Sequence, residues 1–233
     1  MTSTRGYKII STKCCGAVFT TVRYSSINFS AMEYWTDGAR THSLMPTDGG
    51  LRECKCGNYF LLHQTLDVGY EEERSIPAAL PVKDEALELV LQQYLSPEVE
   101  LVVRRRYWRY LNDPYRDLYR AHRDEFNKST KSFGMRLLAL VGLRKEKTAN
   151  LNFTVPTYEL SEQQRTNLFR LLELTDQTDS DFWLEKAEIF RELSQFDHAE
   201  AALNHVTTDD TTTYQIIRQL IGERKNAPYR YRM

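Results

Sequence analysis

The chain has 233 residues, with 31 Lys and Arg against 32 Asp and Glu, a formal net charge of -1. That balance excludes a surface given over wholly to nucleic acid or to an anionic membrane. Hydrophobic residues at 41%, charged residues at 27%, ten glycines and seven prolines exclude collagen-like and low-complexity classes and describe a soluble globular protein.

No run nears the ~18 consecutive apolar residues of a membrane helix, and Met1–Lys8 leads into no apolar segment of a secretory signal. A cytoplasmic location is therefore expected, where cysteines serve as thiols or metal ligands more often than as disulfides. Charge is uneven along the chain. Residues 1–75 balance eight against eight, residues 76–150 carry fourteen basic and ten acidic, and residues 151–233 carry nine basic and fourteen acidic.

All four cysteines fall in the first quarter, as Cys14-Cys15 and Cys54-Lys55-Cys56. Both sites continue alike, as Cys15-Gly16-Ala17-Val18-Phe19 and Cys56-Gly57-Asn58-Tyr59-Phe60. Glycine permits a tight turn that aims backbone N–H groups at sulfur, and the aromatic opens the strand that packs beneath. Paired in this way, the two Cys-Gly-x-x-Phe sites resemble the knuckles of a zinc ribbon with a long insertion. The resemblance implies a structural zinc ion on Cys14, Cys15, Cys54 and Cys56.

The spacing departs from Cys-x-x-Cys. Thr12 and Glu53 stand where each knuckle would have its first cysteine. Adjacent cysteines alternate direction in an extended chain, so Cys14 and Cys15 converge on one ion only through a local kink. Three readings stay open: four thiolates on zinc, fewer thiolates with His42 or His63, and small buried side chains without metal.

Between the pairs, Tyr34-Trp35-Thr36-Asp37-Gly38 reads as a β-hairpin turning at Asp-Gly, or as an aromatic-acidic loop in which Trp35 and Asp37 dock a partner. Met45–Gly50 is the next turn. Residues 71–82, with Glu71-Glu72-Glu73, Pro77 and Pro81, read as a linker.

Helix signals follow. Leu87, Val90, Leu91 and Tyr94 have helical spacing. Ser96-Pro97 and Asp113-Pro114 each place a capping residue before a proline suited to a first helical turn. Ser161–Gln164 is a capping box. The run Arg104-Arg105-Arg106-Tyr107-Trp108-Arg109 is the densest basic feature. Arg104, Arg105, Trp108 and Arg109 could meet a partner or a phosphate backbone, and they could equally pair with the acidic last third.

Trp183, Ala187, Phe190, Leu193, Phe196, Ala199 and Leu203 lie on two successive helices in the offsets of large and small residues that interlock a helical hairpin. This resembles a tetratricopeptide repeat over residues 180–206, with Lys186 at a usually apolar position and Ser194 where the turn usually has glycine. An echo 34 residues apart joins Arg136-Leu137-Leu138 to Arg170-Leu171-Leu172. The helix around Tyr214–Leu220 would cap the array. The final Pro228–Met233 reads as a frayed tail or a short docking peptide.

The expected fold class is α+β: a β-rich, zinc-ribbon-like module over 1–70, a linker over 71–82, a helical region over 83–150 and a repeat-like helical region over 151–233. No Gly-rich phosphate loop, nucleophile elbow or His-Glu-x-x-His motif is present in the sequence. The expected function is a non-enzymatic adaptor with structural zinc and a protein partner, without a membrane role. The alternatives are a nucleic-acid-binding protein using the ribbon and Arg104–Arg109, and an enzyme using zinc or a cysteine.

Overall fold

The computed structural model describes residues 3–26, 31–42, 50–130, 155–176, 182–207 and 211–231. The fold is α+β, with three small antiparallel sheets and a set of helices. By internal packing the chain divides into one unit of residues 1–110 and 160–233 and a second of residues 111–159. Among the described residues, no helix is long and apolar enough to cross a membrane.

The first sheet has the order β2-β1-β7, with β1 Ser3–Ser11, β2 Val18–Ser26 and β7 Leu66–Glu71. The register sets Ile10 opposite Phe19 and Ser11 opposite Val18, which leaves residues 12–17 as the connecting turn. The two-stranded sheet of β5 Leu51–Glu53 and β6 Tyr59–Leu61 pairs Glu53 with Tyr59 and leaves 54–58 as a second turn. The stretch 77–82 is extended and bonded. Ala79 N–H donates to Thr20, Thr20 N–H donates to Pro77, and Arg52 donates to the Ala79 carbonyl at 2.9 Å. Ile10, Phe19, Phe60 and Ala79 close over Cys54 as one apolar cluster.

The third sheet holds the hairpin of β3 Ala31–Trp35 and β4 Arg40–His42. The turn falls at Thr36–Gly38, where Gly38 has φ 77°. Its third strand is β8, Arg230–Tyr231, paired with Trp35 and Tyr34. The C-terminal segment that reads as a frayed tail is thus a strand. Tyr229 accepts from the Thr36 N–H, Arg230 pairs with Glu33 at 2.7 Å and Tyr231 stacks on Tyr34. Backbone pairing with a distant hairpin leaves no local signal in six residues.

The helices are α1 Leu87–Val90, α2 Pro97–Thr130, α3 Glu162–Asp176, α4 Trp183–Glu192, α5 Phe196–Leu203 and α6 Thr212–Gly222. Ser161 and Gln164 form the expected capping box, with reciprocal bonds of 2.9 and 3.1 Å. The expected start at Pro114 is not a start: α2 runs through it. Proline has no N–H for the Tyr110 carbonyl, and that lost bond falls at the boundary between the two units. Within the second unit, the Tyr158 hydroxyl donates to Asn112 at 2.8 Å and its ring meets Tyr115 edge-on.

In the first unit, Leu101 and Trp108 of α2 pack with Leu168 and Leu171 of α3 and Ile189 of α4. Ala187, Phe196, Ala199, Leu203, Tyr214 and Ile217 join α4, α5 and α6. Ala187 and Ala199 are fully buried. Small side chains there let α4 and α5 approach closely. After α4 the Ser194 N–H donates to Arg191 and the Gln195 N–H to Phe190, a Schellman turn with Ser194 at φ 61°. The Lys186 ammonium lies over the Trp183 ring, 4.5 Å from its centroid, a cation–π contact. Of the 34-residue echo, the 135–140 half lies outside the described residues, as does the turn at 45–49.

Candidate metal centre

Two turns from different sheets bring the cysteines together. In the second, Gly57 N–H donates to the Cys54 carbonyl and Cys54 N–H to Asn58. In the first, Gly16 N–H donates to Thr12 and Thr12 N–H to Ala17. The first turn is therefore the second with one residue inserted, and Thr12 occupies the place of Cys54. The extra residue supplies the kink that adjacent cysteines require: residues 13–15 form a turn, not a strand. Gly16 at φ 71° and Gly57 at φ 86° hold the left-handed conformation that follows the last cysteine of each turn.

All four sulfurs lie within 4.8 Å of one another. Cys15 and Cys54 are 3.3 Å apart, Cys14 and Cys56 3.5 Å, and Cys14 and Cys15 4.0 Å. A tetrahedron with metal–sulfur bonds of about 2.3 Å has sulfur–sulfur edges of about 3.8 Å, so the observed spread brackets the size a tetrathiolate ion demands. The donor chemistry fits as well, since soft sulfurs at tetrahedral spacing suit zinc or iron.

Cys54 is 3% exposed on top of Phe19 and Phe60, whose ring centroids are 6.0 Å apart. These are the aromatics of the two Cys-Gly-x-x-Phe motifs, meeting beneath the cluster. Cys14, Cys15 and Cys56 are exposed, and all four are free thiols. Burial raises the Cys54 pKa, but the backbone N–H of Cys56 and hydrogen bonds with Thr12, Cys15 and Cys14 outweigh it and bring the thiol down to about 6. Desolvation of the Cys14 sulfur, although the residue as a whole is exposed, pushes its thiol up to about 12; Thr12 lowers it, while hydrogen bonds with Cys54, Cys56 and Cys15 raise it. The Thr12 hydroxyl is 3.6 Å from Cys54 Sγ and 3.8 Å from Cys15 Sγ. This neighbour was readable only as a gap in the Cys-x-x-Cys pattern. Lys13 and Lys55 each precede a cysteine, and the Lys55 ammonium lies 5.6 Å from the centroid of the Phe19 ring.

The two histidines divide. His63 Nε2 lies 2.6 Å from Glu98, which also accepts from Gln64, so His63 is engaged away from the sulfurs. The His42 side chain is outside the described residues.

The residues expected to face a partner are placed differently. Trp35 and Asp37 are each 1% exposed and Trp108 is 3% exposed. Asp37 accepts from the Ala39 N–H at 3.0 Å, and Trp108 Nε1 donates to Glu192 at 2.9 Å. Arg104 bonds Glu100 and Asn167, Arg105 pairs with Glu185 at 2.8 Å beneath Phe182, Arg106 pairs with Asp84, and Arg109 reaches the Asp37 carbonyl at 3.4 Å. These arginines meet acceptors within their own unit, and Trp35, Asp37 and Trp108 are buried. Of the two readings of the basic run, pairing with the acidic last third is the one seen in Arg105 with Glu185.

Beside Cys54 lies an open groove of about 550 Å³, walled by Phe19, Tyr59, Pro77, Leu80 and Val82, with Glu53, Lys55 and Lys83 among the residues lining it. Leu80 is 72% exposed.

Compared with protein-family models, curated proteins and solved structures, the chain matches none.

Proposed function

We propose that this protein is a non-enzymatic adaptor whose N-terminal sheets are stapled by one zinc ion on Cys14, Cys15, Cys54 and Cys56. The observation that carries the reading is the convergence of four sulfurs from two turns of separate sheets. Four thiolates complete a tetrahedral set, as in structural sites, whereas catalytic zinc keeps a position for water or substrate. In this reading the turns at 12–17 and 54–58 are the knuckles of a degenerate zinc ribbon, and α4–α5 is a tetratricopeptide-like hairpin. Buried Ala187 and Ala199 and the left-handed Ser194 support the second assignment. Free thiols suit the cytoplasm.

The partner is a protein segment, extended and apolar, seated in the groove beside Cys54 with an acidic group toward Lys55 and Lys83. Metal analysis of protein purified without added metal tests the staple. One zinc per chain, lost in Cys56→Ser, is expected; metal-free and fully folded wild type refutes it, and a coloured protein assigns iron instead. A photocrosslinker at Leu80 tests the docking. One discrete adduct that Lys83→Glu abolishes supports it, and no adduct in the native host removes it.

A further inference from the structure

We propose that the metal staple converts under peroxide into a covalent one, with the disulfides Cys14–Cys56 and Cys15–Cys54. The inference rests on the metal reading above and adds a chemistry to the same four side chains. Four cysteines allow three pairings. One joins Cys14 to Cys15 and Cys54 to Cys56. Consecutive Cα atoms are about 3.8 Å apart across a trans peptide, below the ~4.4 Å at which the usual disulfide range begins, so a bond between Cys14 and Cys15 would be strained. Of the two pairings that join the turns, the sulfur distances choose one: 3.5 Å for Cys14 with Cys56 and 3.3 Å for Cys15 with Cys54.

Access orders the steps. Cys54 is buried, and its partner Cys15 is exposed. Cys15 sulfur attacks the O–O bond of hydrogen peroxide, takes one OH as sulfenic acid and releases the other oxygen as hydroxide. Cys54 sulfur then attacks Cys15 sulfur; the S–S bond forms, the S–O bond breaks and a second hydroxide leaves. Two protons from solvent turn both hydroxides into water. Each pair loses two electrons to one peroxide, and after both pairs have reacted the ion leaves with its charge unchanged. Both disulfides span the same two turns as the metal, so the oxidised head keeps its cross-link.

The test uses the zinc-loaded full chain, a chromogenic zinc chelator and graded hydrogen peroxide, followed by thiol blocking, trypsin and mass spectrometry. Trypsin cuts after Lys13, Arg23, Arg52, Lys55 and Arg74, placing Cys14 and Cys15 in 14–23, Cys54 in 53–55 and Cys56 in 56–74. The expected result is zinc release in step with the loss of four thiols, at about two peroxides per chain. One species then joins all three peptides, fragmentation places the bonds at 14–56 and 15–54, and dithiothreitol with zinc restores the starting state. Peptide 14–23 bridged to itself, the alternative cross-pairing, sulfinic acids or chain-to-chain disulfides overturn the proposal while leaving the metal reading intact. A chain that takes up no zinc before peroxide overturns both.

Discussion

Replacing Arg191 with methionine tests how the hairpin of β3 and β4 is held to the helices. Arg191 is fully buried, and its guanidinium donates to Glu188 at 2.7 and 2.5 Å, to the Thr36 hydroxyl at 3.4 Å and to the Lys225 carbonyl. One side chain thus joins α4, the hairpin turn and the segment that leads to β8. Removing it leaves the Glu188 carboxylate, 1% exposed, without its bidentate partner and close to Glu192. Breaking a buried pair from one side costs about 3–5 kcal/mol, because the remaining charge stays desolvated. Removing both charges, as in Glu188→Leu with Arg191→Met, leaves no unpaired buried charge and only the Lys225 carbonyl and Thr36 hydroxyl without this donor, so the double variant should lose about 2 kcal/mol, less than the single one. Urea denaturation followed by tryptophan fluorescence is a suitable assay, since Trp35, Trp108 and Trp183 all lie in the unit of residues 1–110 and 160–233. A single variant within about 1 kcal/mol of the parent, or a double variant at least as unstable as the single, would refute the reasoning.

Stripping the metal with a strong chelator should destabilise the first unit by about 4 kcal/mol, the chain-entropy value for opening a cross-link across about 40 residues, read from urea midpoints with and without chelator. Glu192 is raised to about 8 by burial, then by Glu188 and Asp37. Its folded carboxyl holds a proton more tightly than the unfolded chain does, so its contribution is full below the ordinary glutamate range and drains away as pH rises through about 8. Glu192→Gln keeps an acceptor for Trp108 and should flatten stability against pH over that window. Gly57→Ala meets no atom within 4 Å at its new Cβ but must hold φ 86°; thermal melts should show a loss of about 1 kcal/mol with metal content unchanged. Ser194→Gly relieves the same strain at φ 61° while losing the bond from Asn226, for a net gain of about 0.5 kcal/mol in urea midpoints.

What could be read from sequence was what is decided locally. A glycine after cysteine, a serine three residues before glutamine and Asp-Gly between aromatics each dictate a conformation within a few residues, and Gly16, Gly57, the Ser161 box and the Thr36–Gly38 turn are all found where they were expected. The α1 helix is shorter than the spacing of Leu87 to Tyr94 suggests, because a 3-10 turn at Asp84–Ala86 and a turn after Val90 take its ends. What escaped was settled by distant residues. Pro114 is tolerated inside a continuous helix, where Asp113-Pro114 suggested a new start. For the Arg104–Arg109 run the sequence offered an acidic partner in the last third, but which carboxylates meet it, Glu185 and Asp84, only the fold decides. At the metal centre, composition announced the donors, whereas the role of Thr12 needed the two turns to be superimposed.

The pairing of β3 with β8 also has a bearing on biosynthesis. The Thr36 N–H donates to the Tyr229 carbonyl and the Thr36 hydroxyl accepts from the Tyr229 N–H, 193 positions later. A ribosome releases the hairpin 193 positions ahead of the strand that completes it, so Trp35 waits in an unfinished setting while the residues between are made. Nascent chains arrested before β8 should therefore expose the hairpin to proteases and chaperones, and only the emergence of Arg230 and Tyr231 would lock it.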